Sequence, residues 1–141
     1  MHPMVDSLRD VPLFSDLSKR DLKRLADSMK EHSFAAGMEV VAEGKSGVGF
    51  FVILDGTARV SLGGEERVVL SPGDYFGEMA LIDGDDRSAS VHAETDLRCA
   101  SMTTWNFRPF VKDHPDVAWA LLTALVKRVR DAQARQVGAV G

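Results

Sequence analysis

The sequence has almost no cysteine. Cys99 is the single one in 141 residues, so no intrachain disulfide can form and the chain suits a reducing, cytoplasmic compartment. Long apolar runs are also missing. The longest, Val117 to Val126, is too short to span a bilayer, and the N-terminus carries Asp6, Arg9 and Asp10 where a secretory leader would need apolar residues. Positive charge is not in excess either: 17 Lys and Arg stand against 21 Asp and Glu, a formal net charge of −4. That balance argues against a nucleic-acid partner, whose phosphates demand a basic face. His2, His32, His92 and His114 form no H-x-H pair and no helical H-x-x-x-H spacing, which leaves a metal site little support. No Ser, Cys or Lys stands in a recognisable nucleophile motif. There is no repeat and no low-complexity linker, and the length fits one domain over residues 1–141.

What is present is an ordinary globular composition, 45% hydrophobic and 27% charged, arranged in three blocks. Ser18 followed by Asp21 resembles a capping box, and Leu22, Leu25, Ala26 and Met29 repeat at helical spacing, so a helix is expected over about 18–30. From Phe34 to Leu70 the apolar runs shorten and glycines punctuate them. Strands are expected at Glu39–Ala42, Phe50–Leu54, Thr57–Leu62 and Glu65–Leu70, with Gly63-Gly64 as a two-residue hairpin turn between the last pair. Residues 74–81 are too glycine-interrupted for a strand and read as a turn entering a very short helix. Strand character returns at Ser88–Ala93 and Leu97–Thr103. Thr104 then opens a helix to about Asp113, and Pro115 starts a final helix to about Gln136. The order predicts a mainly β protein with flanking helices, a β-roll or double-stranded jelly roll.

The chemistry concentrates in Phe76-Gly77-Glu78-Met79-Ala80-Leu81 and, after a short acidic loop, Arg87-Ser88-Ala89-Ser90-Val91. Gly77 permits close backbone approach to a ligand, and the start of a short helix offers unpaired N–H groups and a favourable dipole for an anion. Arg87 can add a bidentate contact to a phosphate and Ser88 a hydroxyl. Glu78 would repel a phosphate but can accept from a sugar hydroxyl. Such a set suits a cyclic nucleotide.

The same stretch resembles the phosphate-binding cassette of cyclic-nucleotide-binding domains, F-G-E-[LM]-A-L followed by R-[STA]-A, and fills every position of it. The step from Glu78 to Arg87 is similar to that in cAMP-dependent protein kinase regulatory subunits. The likeness extends through Leu13-Phe14, the Gly44 to Gly56 region and Pro72-Gly73-Asp74, and implies a domain core at about residues 10–136. It implies that Glu78 accepts from the ribose 2′-OH, that Arg87 pairs with the exocyclic phosphate oxygens, and that Ser88 adds a phosphate contact. Backbone N–H groups near Gly77, Met79, Ala80 and Ala89 would complete the cradle. Ser88, which lacks the threonine associated with cGMP in this family, implies a preference for cAMP over cGMP. The resemblance further implies a regulatory sensor without catalysis, whose C-terminal helices move on binding and control a fused or separate effector.

Two other classes fit the same fold: an interaction module that binds no ligand and dimerises through the final helix, and a cupin-like metalloenzyme. In the final helix Trp119, Leu122 and Val126 form one apolar stripe beside a second, Ala118, Leu121, Leu125 and Val129. One helix cannot press both against a barrel, so one stripe is left for a bound base or for a second subunit in a homodimer.

Overall fold

The computed structural model describes residues 3–41, 49–77 and 89–140. It opens with α1 (Pro3–Arg9), a single 3-10 turn at Pro12–Phe14, and α2 (Lys19–Asp27). Eight described strands follow: β1 (Lys30–Phe34), β2 (Glu39–Val41), β3 (Phe50–Asp55), β4 (Ala58–Leu62), β5 (Glu65–Leu70), β6 (Tyr75–Phe76), β7 (Ser90–Ala93) and β8 (Leu97–Met102). The chain closes with α3 (Thr104–Asp113) and α4 (Pro115–Val140). All strand pairings are antiparallel and build two four-stranded sheets, ordered β1-β8-β3-β6 and β2-β7-β4-β5. This is the expected β-roll with helices.

The first sheet is covered on both faces. Phe50, Val52, Ala100 and Met102 point toward the helices and pack with Leu8, Phe14, Leu25, Phe107, Val117 and Leu121. The alternate residues Ile53, Leu97 and Cys99 point the other way and meet Ala58, Val91 and Ala93 of the second sheet. Period-two alternation along β3 and β8 therefore serves two cores at once. The second sheet has one such face only, and its outer side carries exposed ion pairs, Arg59 with Glu66 and Glu94 at 3.3 Å each.

Local signals behave as the residues dictate. The Ser18 hydroxyl accepts from the Asp21 N–H at 3.1 Å, and Gly63 and Gly64 take positive φ of 61° and 79° in the β4–β5 turn. Five boundaries differ. The first expected helix stops at Asp27, where the Ser28 hydroxyl donates back to the Leu25 carbonyl at 2.8 Å. Residues 30–34 are strand rather than helix end or loop. Their side chains are mostly exposed, and cross-strand pairing with β8 supplies the order that apolar alternation does not announce. Tyr75–Phe76 is a short strand held by β3, against the expectation of a turn. At the C-terminal side Thr103, not Thr104, takes the N-cap position of α3, and the final helix continues to Val140. The expected cassette helix lies outside the described residues.

Candidate functional site

The cassette is anchored at its two ends in different sheets. On the entry side the Pro72-Gly73 turn is tied to β3, with Gly73 N–H donating to the Ile53 carbonyl and Ile53 N–H to the Asp74 carbonyl, both at 2.9 Å. Asp74 closes that turn by accepting from the Ser71 N–H through its carboxylate at 2.8 Å. The chain then enters β6 with Phe51 opposite Phe76 and Val52 opposite Tyr75. Phe76 is buried, and its ring stacks on Phe51 with centroids 5.0 Å apart and planes 5° from parallel. The ring of His32 lies 6.2 Å from Phe51, and its Nε2 is 2.7 Å from the Ser101 hydroxyl oxygen.

Gly77 follows at once with φ of 95°. In that region an L side chain strains the backbone, so this glycine is required by the path of the chain and not by composition alone. Of the residues expected to bind, Glu78, Met79, Ala80, Arg87 and Ser88 lie outside the described residues. The exit is described again from Ala89, one residue before β7, an interior strand of the second sheet paired with β2 and β4. Val91 and Ala93 of β7 face the same apolar interior as Phe76, Ile53 and Cys99. Thus Gly77 and Ala89, the described ends of the expected binding segment, adjoin strands of two sheets that share one core.

Two positioning residues fell within the family likeness in the sequence but were given no role there. Phe51 fixes the ring that precedes Gly77, and Asp74 fixes the turn that launches β6. Their partners come from strand register, which one sequence does not display. The histidines are dispersed: His32 is on β1, His92 lies 3.9 Å from Glu39 on the outer face, and His114 lies 3.9 Å from Asp21 beside Phe110. Among the described residues no three His, Cys, Asp or Glu side chains gather as a metal site would need. Burial pushes the Cys99 thiol up from 9.0 to about 12, which keeps it protonated and a poor nucleophile. Among the described residues no helix is long and apolar enough to cross a membrane.

The described strands and helices form a β-roll of two antiparallel sheets with helices packed on the first. The chain belongs to the cyclic-nucleotide-binding domain family, whose profile matches residues 31–114. It is similar to the cAMP-dependent protein kinase regulatory subunit of Yarrowia lipolytica, 39% identical over 97 residues that make up 67% of this chain and 26% of the relative. The corresponding subunit of Mycosarcoma maydis is 40% identical over 111 residues, 74% of this chain and 21% of the relative. The chain thus spans about a quarter of the length of these curated relatives. Among solved structures, cAMP-bound PfPKA-R superposes with a TM-score of 0.82 at 25% identity, over 94% of this chain and 45% of that one. The catabolite activator protein of Thermus thermophilus gives 0.80 at 28% identity, over 89% and 61%.

Proposed function

We propose that residues 10–136 act as one cAMP-binding sensor domain of the cytoplasm that performs no chemistry of its own. The observation that carries this reading is the complete cassette sequence from Phe76 to Val91, which the chain enters from β6 of the first sheet through Gly77 at φ 95° and leaves at β7 of the second. Arg87 pairs with the exocyclic phosphate, Glu78 accepts from the ribose 2′-OH, and Ser88 and the N–H groups of Gly77, Met79, Ala80 and Ala89 complete the cradle. Ser88 favours cAMP over cGMP because it lacks the threonine methyl that restricts the rotamer. The cAMP-bound neighbours support the same ligand class. Binding shifts the packing of α3 and α4 on the roll, and a fused or separate effector reads that shift, with a coupling of typically about 1–3 kcal/mol.

Calorimetric titration with cAMP, cGMP and divalent metals tests the reading. The expected result is saturable cAMP binding, weaker cGMP binding and no metal binding. Arg87→Leu is expected to cost about 2–5 kcal/mol, because it removes one partner of a desolvated charge pair. Glu78→Ala is expected to cost about 1.5–3 kcal/mol, with little further loss on going to 2′-deoxy-cAMP. Metal binding without nucleotide binding would assign the roll to a metalloenzyme. No binding of either would leave an interaction module.

A further inference from the structure

The helices that cover the first sheet differ in charge from the roll beneath them. Residues 30–102 hold thirteen Asp and Glu against six Lys and Arg, whereas α2 and α3 together hold six Lys and Arg against three Asp and Glu. One of those three, Asp21, lies 3.9 Å from His114. In the roll, Arg59 is paired with Glu66 and Glu94, and Arg98 with Glu31 at 3.0 Å. By contrast Lys19, Arg20, Lys23, Arg24, Arg108 and Lys112 are all exposed, and among the described residues none of them has an ion-pair partner. Helical spacing and end contacts place them on one surface. α2 and α3 run antiparallel, tied at one end by Asn106 Nδ2 donating to the Ser28 carbonyl at 3.4 Å and at the other by His114 beside Asp21. Leu22, Leu25 and Phe107 turn toward the sheet, which leaves Arg20 and Arg24 on one helix and Trp105, Arg108 and Lys112 on the other facing water. Trp105 is 87% exposed, the barest of the large apolar side chains described.

From this face we infer that α2 and α3 dock on an anionic lipid surface. A helix too polar to cross a bilayer can still lie on one, with its cations over the headgroup charges and an indole at headgroup depth. Cations alone would serve for solubility. An exposed indole set among them does not serve that end, and the pairing of the two selects a bilayer. The carboxylates elsewhere do not oppose the contact. The second sheet, with Glu39, Glu65 and Glu66, lies behind the first. At about 10 Å per layer its charges stand roughly 20 Å from the helix face, beyond the screening length of about 8 Å at physiological salt. A planar surface touches the helices only, whereas a nucleic acid would extend past them to the acidic roll. Asp27 and Asp113 are exposed acids on the same two helices, so the attraction is moderate and reversible.

Flotation of the full chain with vesicles in the absence of cAMP tests the docking independently of the nucleotide site. The chain is expected to bind phosphatidylcholine vesicles that contain phosphatidylserine, to ignore vesicles of phosphatidylcholine alone, and to be released by high salt. Arg20→Glu combined with Lys112→Glu is expected to weaken binding more than about 100-fold, since each charge near such a surface is worth about fivefold. Trp105→Ala is expected to weaken it about tenfold and to leave its salt dependence unchanged. Both variants should keep the thermal melt of the parent chain, because the replaced side chains are exposed. In Trp119→Phe, where Trp105 is the remaining indole, emission should move to shorter wavelength on binding. Absence of binding to phosphatidylserine vesicles at low salt would overturn the proposal, as would binding that is indifferent to the double charge reversal or that leaves Trp105 emission unchanged. Retention on immobilised polyglutamate without binding to vesicles would overturn it too and assign the face to an acidic protein.

Discussion

Gly56 and Cys99 show how single residues are constrained where strands meet turns and cores. Gly56 has φ of 84°, and a Cβ there would overlap the Asp96 carbonyl oxygen, a backbone atom that cannot swing away. Gly37 has a similar φ of 89° with nothing within 4 Å of the added carbon. Gly56→Ala is therefore expected to destabilise by more than about 2 kcal/mol, and Gly37→Ala by about 1–2 kcal/mol from backbone strain alone, read from urea unfolding midpoints. Equal losses would mean that the contact with Asp96 relaxes freely. Cys99 constrains the pH response instead. An unfolded thiol ionises near 9.0 and the folded one near 12. Between those values the unfolded state binds fewer protons than the native one, so stability falls as pH rises through the window. Comparing pH 8 with pH 10.5, the alkaline loss should be smaller in Cys99→Ala than in the parent chain; identical losses would place the cause elsewhere.

Elements were legible from the sequence in proportion to how local their cause is. The cap at Ser18, the glycine turn of the β4–β5 hairpin and the final helix rest on neighbours a few residues away, and these expectations agree with the structure. By contrast β1 and β6 exist because β8 and β3 lie beside them, and a charged edge strand such as Lys30–Phe34 has no alternation to betray it. The seven-residue α1, anchored by Val5 and Leu8, was invisible for the related reason that so short a helix has no stability apart from its packing. The cassette was readable at the level of residue types, whereas the Phe51–Phe76 stack that holds its entrance was not. At this scale α4 offers a direct test. Trp119 lies on α4 between the buried Val117 and Leu121 and is itself 72% exposed, so its indole reports changes in how that helix is covered. Tryptophan emission is expected to change on adding cAMP, and the change should disappear in Trp119→Phe. Deleting residues from Val117 onward is expected to weaken cAMP binding and to expose Phe14, Phe50 and Phe107, with aggregation following. A soluble truncation with undiminished affinity would show that the helix takes no part in binding.

At the scale of the whole molecule, the two sheets are unequal. The first is sandwiched between helices and the second sheet, while the second has one side open to solvent and ends in β5, where Val68 and Val69 stay exposed. In deuterium uptake the backbone amides of Val52, Ile53, Cys99 and Ala100 should be the last to exchange and should do so only through global opening. Those of β5 should exchange earlier, through local fraying that leaves the first sheet intact. Uniform protection across both sheets would contradict this ordering. Hydrogen exchange thereby separates two clocks in one small roll. A slow clock, set by the doubly covered sheet, governs the lifetime of the fold. A faster one, set by the sheet with a wet face, governs how often β5 frays while the first sheet stays closed.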